Sequence, residues 1–139
     1  MSRGFANPLT ELAEFEELQQ SLRKKRGPVQ VSGCLDSQKV HLMQETMADC
    51  PWKLVVTYDD ARAREIYDDF GCLRDNVWLY PAKDLLFYSA DIHGNLITRE
   101  RLQVLRHLME DEGGVVVTTM DGLMDHLLPL SCMQEQVLH

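Results

Sequence analysis

Two kinds of apolar pattern alternate along the chain. The continuous runs Trp52-Lys53-Leu54-Val55-Val56-Thr57, Val77-Trp78-Leu79-Tyr80 and Val115 to Thr118 read as strands covered on both faces. A shorter run, Val29 to Ser32, reads as an opening strand. Between these runs apolar residues recur at helical spacing. The stripes are Leu12, Phe15, Leu18 and Leu22; then Val40, Met43 and Met47; then Ala63, Ile66, Tyr67 and Phe70; and finally Leu102, Leu105, Leu108 and Met109.

Local signals place the ends of these elements. Asn7 is a cap and Pro8 a first helical residue for helix one, which closes on Arg23-Lys24-Lys25-Arg26 before Gly27-Pro28. Glu11, Glu14, Glu16 and Glu17 crowd its front, so both ends complement the helix dipole, and the basic run reads as a solvated terminus. The second helix is expected from Asp36 to Ala48. Asp59 or Asp60 caps the third, which Gly71 ends. Thr98 is expected to cap the fourth, which ends at Gly113-Gly114, and a short helix from Met120 to Leu128 is halted by Pro129. From Ala82 to Ile97 the periodicity is lost, predicting a long connection with Phe87, Tyr88 and a turn at His93-Gly94-Asn95.

Strands alternating with helices imply βαβ crossovers and a sheet covered on both faces. The predicted fold is α/β, a three-layer sandwich with a mostly parallel sheet. It occupies residues 1–130, and the tail 131–139 has no pattern and is expected to be disordered. At 139 residues the chain is long enough for one real core, and 45% hydrophobic with 26% charged residues is ordinary for a globular domain. A net charge of -8 argues against a surface built to hold phosphate backbones. No apolar run approaches the roughly 20 residues that span a bilayer. The opening MSRGFANP lacks the apolar core of a secretion signal, and Cys34, Cys50, Cys72 and Cys132 form no C-x-x-C pair. Free thiols in a cytoplasmic protein without a membrane partner are the expectation.

The candidate chemistry lies in Val29 to Val40, VQVSGCLDSQKV. An apolar run, a glycine, five residues and a helix form the frame of a phosphate-binding loop. Laid on GxxxxGK[ST], the chain keeps Gly33 and Lys39, with Ser37 between them, but has Gln38 for the second glycine and Val40 for the hydroxyl. A side chain at Gln38 obstructs the amide nest, and Val40 cannot hold magnesium. The strand VVVTT also ends without the acidic pair that would complete a metal site. The loop is therefore read as a degenerate phosphate loop, with no cofactor, no metal and no catalytic residue expected.

Other constellations are weaker. His41, His93, His107, His126 and His139 show no metal spacing, and His107 is expected on the wet side of its helix. Cys34 follows Gly33 at a helix N-terminus but has no histidine placed as its base. Asp59-Asp60 and Asp68-Asp69 read as helix-end charges.

The order of these pieces resembles a known family. The degenerate loop is followed by KLVVTYDDARAREIYDDF, then VWLYPAKDLLFYS, then ITRERLQVLRHLMEDEGGVVVTTMDGLMDHLLP. This looks like the amino-terminal region of the bacterial transcription-repair coupling factors (Mfd), which is itself similar to the first part of the excinuclease subunit UvrB. The resemblance runs from about Leu9 to Leu130. It implies a helicase-like α/β fold whose ATPase loop is spent, the UvrB domain 1a type. It also implies a non-enzymatic interaction scaffold in nucleotide-excision repair, with UvrA and the rest of its own parent chain, motor included, as partners. RNA polymerase and DNA would be reached only through domains absent here. The segment matching the DNA-gripping hairpin of UvrB is short, with only Phe87 and Tyr88. The main UvrA-contacting subdomain would follow Pro129, so the chain is expected to be a fragment of a larger protein, with a raw sheet edge or apolar face that favours self-association.

Two rival readings stand beside this one. The first is a nucleotide-binding half-domain of a helicase-like ATPase whose missing groups come from elsewhere. The second is a small-ligand module binding at the carboxyl ends of its strands.

Overall fold

The computed structural model of the chain describes residues 9, 12–24, 27–82 and 92–125, with the backbone alone for 92–97. The described elements, in chain order, are α1 (Ala13–Arg23), α2 (Asp36–Thr46), β1 (Trp52–Thr57), α3 (Asp60–Leu73), β2 (Val77–Tyr80), α4 (Ile92–Glu110), β3 (Gly114–Thr119) and α5 (Met120–Met124). The three strands form an open sheet in the order β1-β3-β2, and both pairings are parallel.

The apolar runs explain this order. β3, GVVVTT, is buried at every position and takes the centre, where only a continuously apolar strand is comfortable. Its residues divide between two faces. Val115 and Val117 pack with Val55, Val77, Val40, Ala63, Ile66 and Phe70, which brings α2 and α3 onto one face. Val116 packs with Tyr80 and Val104, which brings α4 onto the other. Helices thus cover both faces of the sheet.

Several boundaries differ from the sequence reading. Val29 to Ser32 is not a strand; it runs as exposed chain between Gly27 and Gly33, both at positive φ (113° and 84°). The alternating VQVS pattern lacks the second apolar face that a buried parallel strand needs, and Pro28 has no N–H for a ladder. The described sheet therefore has three strands rather than four. α3 continues past Gly71 to Leu73. α4 begins at Ile92, so Thr98 lies inside the helix and His93-Gly94-Asn95 is helical backbone, not a turn. Among the described side chains of α4, Arg101 and Val104 are buried, while Leu102 and Leu108 stay exposed. The stripe is shifted because Arg101 is drawn inward by Asp125 and lies over the Tyr80 ring. The Asn7-Pro8 start, Lys25-Arg26, Phe87, Tyr88, Cys132 and the tail 131–139 lie outside the described residues, as does the expected extension of α5 beyond Asp125.

Asp59 caps α3 as expected, accepting from the Arg62 N–H at 2.7 Å. β1 is an edge strand, and its Leu54 and Val56 remain exposed on the α4 face. No helix among the described residues is long and apolar enough to cross a membrane.

Lys53, in β1, is buried, and its Nζ donates to the Cys50 carbonyl at 2.9 Å. Burial pulls its pKa below the ordinary 10.5, and the neighbouring Arg74 guanidinium lowers it further. The unfolded chain then binds more protons than the folded one over the alkaline range below about 10.5, so stability rises with pH there. Lys53→Met is expected to keep or raise stability, by up to about 1 kcal/mol, because it removes a charge from an apolar face. The variant should also flatten the alkaline rise in urea-unfolding midpoints. A loss of stability, or an unchanged alkaline slope, contradicts this reading.

Candidate functional site

The residues of the degenerate loop lie where α2 starts and meets the front of α3. Gly33 takes its positive φ in open space, where a Cβ would touch nothing within 4 Å. Cys34 is half-buried with a free thiol, and Asp36, Ser37, Gln38 and Lys39 form the exposed first turn of α2. Val40 turns inward and is 1% exposed, one of the most deeply buried side chains in the core.

Three side chains of this turn, Asp36, Gln38 and Lys39, are engaged locally. Gln38 accepts the Leu35 N–H on its Oε1 at 3.1 Å, so the side chain in the glycine position caps its own helix. Lys39 Nζ donates to Asp36 Oδ1 at 3.1 Å, and Arg62 Nη2 donates to the same oxygen at 2.7 Å. Arg62 Nη1 reaches Glu65 Oε2 at 2.8 Å. The Lys39 hydrogen bond, with the charges of Arg62 and Lys39, holds the Asp36 carboxyl below the ordinary carboxylate range. Each of these cations thus has a carboxylate partner, which leaves little attraction for a phosphate chain. The position that holds magnesium in a working loop is a core valine here, and a hydroxyl there would be buried among apolar groups. The strand expected to lead into the loop is missing as well, so both frame and chemistry depart from a phosphate cradle.

No family model, curated protein or solved structure matches this chain.

The carboxyl ends of the strands offer few free groups. Thr57 Oγ1 donates to the Asp59 carbonyl at 2.9 Å, and Thr118 Oγ1 donates to the Tyr80 carbonyl at 2.8 Å. Thr119 Oγ1 accepts the Gly122 N–H at 3.2 Å and so caps α5. An open groove of about 1160 Å³ lies between α1, α2 and the chain from Val29 to Cys34. Its walls carry Glu14, Glu17 and Glu45, against one histidine, His41, and a mix of apolar and uncharged polar residues, a poor match to an anion.

His41 is exposed, and His107, about a third exposed, lies near the wet side of its helix but has specific partners. Its ring stacks on Trp78 with centroids 4.8 Å apart, and its Nδ1 lies 2.9 Å from Glu112 Oε2. The only advance notice of this cluster was the i,i+3 spacing of His107 and Glu110 in the last turn of α4.

Proposed function

We propose that the chain is a non-catalytic interaction scaffold of the transcription-repair coupling type, a cytoplasmic domain acting through protein contacts in nucleotide-excision repair. Its phosphate loop, of the UvrB domain 1a kind by resemblance, is a relic. UvrA and the motor of the same parent chain are its partners. One observation carries the reading: Lys39 of the loop and Arg62 of α3 both pair with Asp36, Gln38 caps the Leu35 N–H, and Val40 anchors α2 in the core. Such a loop serves as a strut between α2 and α3 and has no remaining role in chemistry. The acidic surface, at a net charge of -8, suits contacts with proteins rather than nucleic acid.

The test is direct binding. Purified chain titrated against UvrA, and separately against the motor of a transcription-repair coupling factor, should form a complex with at least one, in the micromolar range and independent of ATP. Absence of a complex with either at high micromolar concentration contradicts the proposal.

A further inference from the structure

The last turn of α4 and the turn after it bring together three groups that the proposed scaffold does not use. His107 Nδ1 lies 2.9 Å from Glu112 Oε2 and 3.9 Å from Glu110 Oε2, and the three donor atoms all fall within 4.8 Å of one another. We propose that they form a site for one first-row divalent cation of the zinc type, held by Nδ1 and one oxygen from each carboxylate, with its remaining position open to water.

The donor set suits such an ion. Imidazole nitrogen and carboxylate oxygen are zinc donors with bonds of about 2.0–2.2 Å, so donors around one ion stand roughly 3–4 Å apart. The two distances from His107, 2.9 and 3.9 Å, fall at about that spacing, and the carboxylate oxygens lie within 4.8 Å of each other. Three protein ligands with one open position is the pattern of an accessible site, not a closed structural one.

The ligands are also held from behind, as ligands of a built site are. The His107 ring is fixed against Trp78, which in turn packs on Trp52 at 5.5 Å. Glu110 accepts from Arg106 Nε on its Oε1 at 2.8 Å, which leaves Oε2 turned toward His107. Glu112 is placed by the turn before it: Asp111 has a positive φ of 51°, and its carboxylate accepts from Trp52 Nε1 at 3.0 Å. Gly114 cannot carry a side chain there, because a Cβ would stand 2.0 Å from the Trp78 ring. The tryptophan pair, the turn and the helix end thus hold the three donors, with Trp52 shared by the supports of His107 and Glu112.

Titrating the full chain with cobalt(II), a spectroscopic surrogate for zinc, tests this. The expected result is one ion per chain at micromolar affinity, weak visible absorption without a thiolate charge-transfer band, and a change in tryptophan fluorescence through Trp78. Glu112→Gln and His107→Gln should each weaken binding at least tenfold with the far-ultraviolet circular dichroism unchanged. Glu112 is half-exposed, so its variant decides the matter even if loss of the His107 stack disturbs the fold. Binding that persists in Glu112→Gln, a thiolate band that Cys34→Ser removes, or no binding below millimolar cobalt overturns the proposal.

Discussion

Phe70→Ala is expected to lower the stability of the domain by about 3–5 kcal/mol, read as the shift in a urea-unfolding curve. Phe70 is the largest of the fully buried side chains among the described residues, at 0% exposure, and it lies on α3 where that helix packs on the sheet. Its neighbours in the cluster are Val40 from α2, Val55 from β1, Val77 from β2 and Val115 and Val117 from β3, so one ring touches a core to which every strand contributes. Truncation removes its transfer free energy and leaves a cavity walled by β-branched residues, which are stiff and collapse poorly. A domain of this size has about 5–15 kcal/mol in all, so the variant should be close to unfolded at room temperature. A loss under about 1 kcal/mol would mean that the α3 face of the sheet is not the principal core.

The second large effect is asymmetric. Arg101 and Asp125 are bonded at 2.5 Å, with side chains 6% and 27% exposed respectively. Removing Asp125 leaves a guanidinium inside the protein whose described neighbours include the Tyr80 ring, 4.5 Å away, and the Pro81 carbonyl at 3.5 Å. A buried charge left in this way costs about 3–5 kcal/mol. Removing Arg101 instead leaves a carboxylate that already reaches water, and methionine fills much of the vacated volume, so the loss should be nearer about 2 kcal/mol. Asp125→Ala is therefore expected to be the more damaging of the two, and Asp125→Ala with Arg101→Met the milder combination relative to the sum. Equal losses, or a larger one for Arg101→Met, would show that the pair is wetter than its geometry indicates.

Which features were legible in the sequence follows from what each one depends on. β1 and β2 came out at their predicted bounds, and β3 within a residue, because doubly covered strands must be continuously apolar and few other elements are. Asp59 was legible as a cap since capping is decided within four residues. Val29 to Ser32 misled for the opposite reason: two valines at alternate positions satisfy a strand pattern, but a strand exists only if a neighbour supplies its ladder. The start of α4 was hidden by Gly94 and Asn95, residues that usually interrupt helices. Its buried face was misplaced because Arg101 is inward only through Asp125, 24 residues on. In the loop, Gln38 and Val40 were legible as departures from the phosphate-loop pattern. What they do instead was not, since the cap on Leu35 and the place of Val40 in the core are facts of packing. The His107 cluster was missed because Glu112 meets His107 only after Asp111 reverses the chain.

On the proposed reading, the turn from Gly33 to Val40 cannot seat a triphosphate. Isothermal titration of the native chain with ATP and magnesium is the decisive experiment. No saturable heat is expected up to millimolar nucleotide, with or without the metal. Magnesium-dependent binding in the micromolar range, abolished by Lys39→Ala, would contradict that reading and make the turn a working nucleotide site.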